Sequence, residues 1–202
     1  MNQLKDKKKQ PMNDDSDFDE PSESNITREN NHIYFYSDID QASIYKLNVQ
    51  LREAEEYCYM TAFRLNIDTI PIYLHINSGG GSILDAFAAI DYICNSRVPV
   101  YSIIEGSSAS AGTLISVVCA KRYIRPTSYM LIHQLSSSLW GKMCEIEDEV
   151  QNLTDLMTRI RKIYMDRSKM TKKTLDNLLK RDLWLDAHTS IKHGLVDELW
   201  TK

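Results

Sequence analysis

Beyond its polar beginning, the chain alternates two kinds of apolar pattern, and this alternation limits the folds open to it. Short runs rich in β-branched and aromatic residues occur at 33–36, 71–76, 98–104, 122–125 and 129–132, and longer stretches with helical spacing separate several of them. A helix must carry the chain from the end of one parallel strand back to the start of the next, so crossover strands produce this rhythm. The expected fold class is α/β.

The spacing predicts a helix over 43–64, where Leu47, Leu51, Ala54 and Cys58 share one face. A second, over 83–93, is apolar nearly all round and is expected to be buried. The longest covers 143–167, where Ile146, Val150, Leu153, Met157, Ile160 and Tyr164 form one stripe between charged positions. Such a stripe is long for a small domain, so the helix is expected to project and bury part of it against another subunit. Thr171 can cap a shorter helix over 172–180, and Gly194 can end one that begins near Ala187.

With 202 residues, 43% of them hydrophobic, one core can form without staples. Lys and Arg number 24 against 28 Asp and Glu, a formal charge of −4 with no basic stripe, so nucleic acid is not an expected partner. The apolar run 113–120 falls far short of the roughly 20 residues that span a bilayer, and MNQLKDKKKQ lacks the apolar centre of a signal peptide. A soluble, cytoplasmic protein with no membrane partner is expected. Cys58, Cys94, Cys119 and Cys144 lie far apart, without metal-ligand spacing, and read as free thiols. Residues 1–32 hold too few apolar side chains to offset the entropy of ordering them, so a mobile N-terminal arm is expected there, with the folded domain over 33–202.

Five of the seven glycines fall in two places: Gly79, Gly80 and Gly81 after the run ending at Ile76, and Gly106 and Gly112 around a serine cluster. Each place reads as a loop that follows a strand and opens a helix, where backbone N–H groups face whatever binds. The phosphate-binding patterns G-x-x-x-x-G-K-[ST] and G-x-G-x-x-G are not met, which speaks against a nucleotide. Small residues on both sides of Ser107, Ser108 and Ser110 leave an oxygen room to act as a nucleophile, although alone the segment also reads as a serine-rich capping loop. The G-x-S-x-G elbow is absent. Of the histidines, His133 ends the run 129–132 and so is expected to emerge at the same sheet edge as the serines. Asp182 is one of many carboxylates able to orient an imidazole, and spacing does not choose among them.

These residues resemble the caseinolytic serine proteases, the proteolytic ClpP subunits. Ile76-Asn77-Ser78-Gly79-Gly80-Gly81 is similar to the family's I-N-S-P-G-G, and Gly106 to Gly112 to G-x-A-A-S-M-G. Met130-Leu131-Ile132-His133-Gln134 is similar to M-I-H-Q, Arg181-Asp182 with Leu185 and Ala187 to R-D-x-x-L-S-A, and Gly194-Leu195-Val196-Asp197 to G-L-V-D. The five motifs stand in family order, and the resemblance runs from about Ile33 to Trp200. The resemblance implies Ser110 as nucleophile, His133 as general base and Asp182 as its orienting carboxylate, with Gly81 and Ala111 supplying oxyanion N–H groups. It implies a crotonase-like α/β spiral fold with a protruding handle helix, for which the 143–167 stripe is the candidate. It further implies homo-oligomers of two stacked seven-membered rings, unfolded polypeptides as substrates, and no bound cofactor, ATP being used only by a partner AAA+ unfoldase.

The chain departs from the family pattern at several points. Gly79 and Leu135 stand where prolines are usual, Ala111 replaces a methionine, and Ser136-Ser137-Ser138 occupies a segment that usually carries glycines and helps join the rings. Where the family offers its unfoldase an apolar surface, this chain has Tyr73 and Ile103 but also His75, Asn95 and Glu105, so altered docking is expected. A non-catalytic or weakly active structural subunit of a hetero-oligomeric complex is the alternative reading. Acyl-CoA chemistry on the same superfold would not need the triad, and a Ser/Lys dyad of the signal-peptide-peptidase kind lacks a membrane segment to support it.

Overall fold

The computed structural model describes residues 25–201. It opens with a hairpin of β1 (Asn25–Glu29) and β2 (His32–Tyr36), turned at Asn30 with φ 56°. The arm expected over 1–32 is therefore too long, because residues 25–32 already belong to the sheet. Ile26, only 2% exposed, is the one apolar residue of β1, and a single buried side chain leaves no periodic signal. The rest of that arm lies outside the described residues.

From β2 the chain runs through α1 (Gln41–Leu65), β3 (Ile72–Ser78), α2 (Ile83–Asn95), β4 (Val100–Ala109), α3 (Ala111–Val117) and β5 (Lys121–Ile124). Strands β2 to β5 are mutually parallel, and α1, α2 and α3 make the crossovers. Asp40 starts α1 by accepting from Ser43 N at 2.7 Å while Ser43 Oγ accepts from Asp40 N, a reciprocal cap. Then follow β6 (Tyr129–Leu131), α4 (Met143–Arg167), α5 (Lys172–Leu179), β7 (Trp184–Asp186), α6 (Ala187–His193) and β8 (Glu198–Leu199). The main sheet has the order β1-β2-β3-β4-β5-β8.

Strand β4 is shared between two partners. Its first half pairs with β5 from Tyr101 to Ile104, and its last residues, Ser107 to Ala109, pair with β6, which in turn pairs antiparallel with β7. Gly106 sits at the handover with φ +71°, and a Cβ there would lie 3.1 Å from Asn77 Nδ2. Gly106 thus bends a continuous strand rather than opening a helix, which corrects the loop expected around it.

Two helices qualify the periodicity argument. In α2, Ala86, Ala89, Ile90 and Ile93 are buried but Leu84 is 64% exposed, so the helix covers the core with one face only. In α4 the buried residues are Met157, Ile160 and Tyr164, whereas Met143 and Val150 are 69% and 51% exposed. The first half of α4 stands away from the core, as a projecting helix would. Gly194 closes α6 in the left-handed conformation, φ 71°, as its position after the last turn predicts. Among the described residues no helix is long and apolar enough to cross a membrane.

Candidate active site

Ser110 lies between β4 and α3 at φ 52°, ψ −125°, a region L-residues seldom occupy. The surrounding chain holds it there. Ser110 N donates to Leu131 O at 2.8 Å, and Ser110 O accepts from Thr113 N at 3.0 Å and from Thr113 Oγ1 at 2.7 Å. The Ser110 hydroxyl makes no capping bond to α3, so the capping role open to a serine-rich segment is not one Ser110 fills.

The glycine run packs against this turn. Gly80 has φ +100°, and a Cβ on it would meet Ser110 Cβ at 2.7 Å and Ala111 N at 3.3 Å. Gly81, at φ +139°, is held by a parallel bridge to Ile39: Ile39 N donates to Gly80 O at 2.7 Å and Ser82 N to Ile39 O at 2.8 Å. A Cβ on Gly81 would fall 2.2 Å from Ile39 O, so only glycine fits. Among the described residues, the N–H groups of Gly81 and Ala111 donate to no acceptor in the chain.

His133 follows β6 and Asp182 precedes β7. The β6–β7 register pairs Leu131 with Trp184, and two steps further along it puts His133 opposite Asp182. His133 Nδ1 lies 2.9 Å from Asp182 Oδ1. The His133 side chain is half-buried and that of Asp182 is exposed, so the pair sits at the rim of the molecule. Bonding Nδ1–H to a carboxylate leaves the Nε2 lone pair free to take a proton. Among the described residues no hydrogen bond joins Ser110 Oγ to His133. The sheet pairing brings serine and histidine to one edge, through Ser110 N and Leu131 O, without closing that last contact.

Three neighbours of this site escaped the sequence reasoning. Gly80 stood inside a legible glycine triplet, but which glycine touches the serine depends on the bridge to Ile39. Thr113 carried no signal, and Tyr164 read only as part of the apolar stripe over 143–167. Their hydroxyls are 2.6 Å apart in the core although they are separated by 51 positions. No group of three or more His, Cys, Asp or Glu side chains among the described residues is placed to hold a metal ion.

A family model for Clp protease matches residues 27–202. The chain belongs to the Clp protease family. It is 35% identical over 133 residues to the ATP-dependent Clp protease proteolytic subunit 2 of Treponema denticola, covering 65% of this chain and 66% of that one. It is 33% identical over 136 residues to the corresponding subunit of Streptococcus mutans, covering 65% and 69%. A Chlamydia muridarum proteolytic subunit 1 is 28% identical over 131 residues, covering 63% and 68%. The chain thus spans about two thirds of the length of the curated relatives it matches. The mixed sheet with six helices is consistent with the ClpP fold.

A second polar cluster of this Clp-family chain lies across β2, β3 and β4. Glu105 accepts from Arg125 Nε at 2.9 Å and from the Tyr36 hydroxyl, and His75 Nε2 stands 2.9 Å from His32 Nδ1. Burial raises the Glu105 pKa, but the Tyr36 and Arg125 hydrogen bonds outweigh it and hold the carboxyl below its usual range. Burial lowers the His75 pKa in spite of Glu105 nearby. Tyr34 stacks on His75 with ring centres 4.5 Å apart, and Tyr73 stacks on His32 at 4.8 Å. Ile103, expected at this surface, is fully buried beneath it.

Proposed function

We propose that this chain is a proteolytic subunit that hydrolyses peptide bonds of unfolded polypeptides by serine catalysis. The observation that carries this reading is the His133 Nδ1 to Asp182 Oδ1 contact of 2.9 Å, formed beside a turn that holds the part-buried Ser110 at φ 52°. Asp182 fixes the tautomer, so His133 Nε2 accepts the Ser110 proton as Oγ bonds to the substrate carbonyl carbon. The carbonyl π pair moves onto oxygen, and the oxyanion accepts from the N–H groups of Gly81 and Ala111. Collapse breaks the C–N bond, and His133 gives its proton to the leaving amine. Water then attacks the acyl-enzyme with His133 again as base, releasing the acid and restoring Ser110.

The exposed apolar stripe at the start of α4 supports assembly into stacked seven-membered rings, where Met143 and Val150 would leave water. The names of the relatives suggest ATP-dependent work with a Clp ATPase. Aromatic, imidazole and carboxylate groups fill the surface around His75 and Glu105, so the partner's docking element differs from a plain apolar loop.

Intact-mass analysis after fluorophosphonate treatment tests the reading, with Ser110→Ala as control. One adduct, mapped to Ser110 and missing from the variant, is expected. A folded, assembled protein that takes no adduct would instead be a structural subunit.

A further inference from the structure

The contact between Thr113 and Tyr164 joins α4 to the turn that holds Ser110, and its hydrogens can be assigned. Thr113 Oγ1 lies 2.7 Å from Ser110 O, a carbonyl that only accepts, so the threonine proton points there. The Tyr164 hydroxyl, 2.6 Å from the same Oγ1, must therefore be the donor to Thr113. The relay runs Tyr164 O–H to Thr113 O–H to Ser110 C=O, and both hydroxyl residues are buried, at 2% and 0% exposure. Each bond in such a chain polarises the next, in a place water does not reach.

The acceptor at the end matters more than the length of the chain. Ser110 C=O and Ala111 N–H belong to one planar trans peptide unit and point in opposite directions. A bond that aims the carbonyl therefore aims the N–H. We infer that Thr113 and Tyr164 are positioning residues that hold the Ser110–Ala111 peptide plane so that the Ala111 N–H faces the developing oxyanion. This rests on the serine-protease reading above and adds to it two residues that touch neither substrate nor base. Strain makes the support necessary: at φ 52°, Ser110 would relax toward ordinary backbone angles if its carbonyl were free to swing. Thr113 N–H, at 3.0 Å from the same carbonyl, supplies a second hold, so loss of the relay loosens the plane without releasing it.

The test uses the full chain in its assembled form, with Thr113→Val, Thr113→Ser and Tyr164→Phe. Peptidase kinetics are measured beside binding of a peptide boronate, which becomes tetrahedral on the serine and presents an oxygen to the oxyanion donors. Removing an oxyanion donor outright costs roughly 100- to 1000-fold, so misaiming one is expected to lower kcat by about 10-fold. Thr113→Val and Tyr164→Phe should show that drop with KM nearly unchanged and boronate affinity weakened in step with kcat. Thr113→Ser, which keeps the hydroxyl, should restore both. Unchanged kcat and boronate affinity in folded Thr113→Val and Tyr164→Phe would overturn the inference while leaving the protease reading intact. So would Thr113→Ser losing as much as Thr113→Val, since that would make the role one of packing. A wild-type protein that neither cleaves peptide nor labels at Ser110 would overturn both together.

Discussion

Gly80 lies directly against the Ser110 side chain: a Cβ at position 80 would stand 2.7 Å from Ser110 Cβ and 2.9 Å from the Ala109 carbonyl oxygen. The backbone there has φ +100°, which an alanine adopts only under strain. Gly80→Ala is therefore expected to lose about 1–3 kcal/mol of stability and most of its labelling at Ser110, because the clash is with the proposed nucleophile itself. Urea unfolding and fluorophosphonate uptake measure the two effects. Full labelling in this variant would mean that the turn has slack the geometry does not suggest.

Ser110 is held at φ 52°, and replacing it should reveal what that backbone angle costs. Ser110→Gly is expected to be inactive yet more stable by about 1 kcal/mol, since glycine occupies positive φ freely and gives back part of that gain as unfolded-chain entropy. Ser110→Ala should lower turnover by as much as about a millionfold with a stability change of about half a kcal/mol or less. Chemical denaturation of the two variants side by side separates strain from catalysis.

Asp182→Asn leaves His133 without the acceptor that fixes its tautomer. Turnover is expected to fall by about 10,000-fold. Asp182 is 78% exposed on its side chain, so the folded state should hardly notice the change. A variant with normal peptidase activity would remove Asp182 from the mechanism.

Acid should weaken the fold in two stages. The His75 pKa is held below its usual 6.5 by burial, so as pH falls the unfolded chain takes up that proton before the folded one does, and stability declines from about pH 6.5 downward. The Glu105 carboxyl lies below its usual 4.5, so again the unfolded chain is protonated first, and a further loss begins near that pH and continues below it. Thermal melts from pH 8 to 4 should show both stages, and Glu105→Gln should shrink the lower one without abolishing it, because Glu55 and Asp197 are also held below their usual range by arginine partners. A melting temperature flat from pH 7 to 5 would contradict the burial of neutral His75.

The projecting half of α4 predicts where assembly can be broken without unfolding the subunit. Val150→Asp, at a position 51% exposed in the single chain, should keep far-UV circular dichroism and lower the mass seen by light scattering. An unchanged mass would place the contact between copies elsewhere.

Local patterns were legible wherever one residue type or one period decides the conformation. The stripe from Ile146 to Tyr164 predicts a helix over 143–167, and α4 is Met143–Arg167; Gly194 reads as a helix end and caps α6 with φ 71°. The motifs around Ser110, His133 and Asp182 were likewise visible as residue types in order. Strands β1, β7 and β8 were not, because the segments NITRE, WLD and EL lack a run of β-favouring apolar residues, and only their pairing partners stabilise them. The bend at Gly106 also escaped, since it depends on β4 changing partners from β5 to β6.

What the amino-acid order determined by itself was therefore the helices, the more apolar strands and the chemical inventory, all of which follow from interactions within a few residues. The tertiary structure decided which glycine touches Ser110, that β4 changes partners at Gly106, and that a tyrosine on α4 reaches the serine turn through Thr113. Those outcomes depend on strand register and helix placement, where a shift of one residue turns a side chain to the opposite face. No pattern read along the chain contains that information, because the pairing is settled by the burial of the whole core at once.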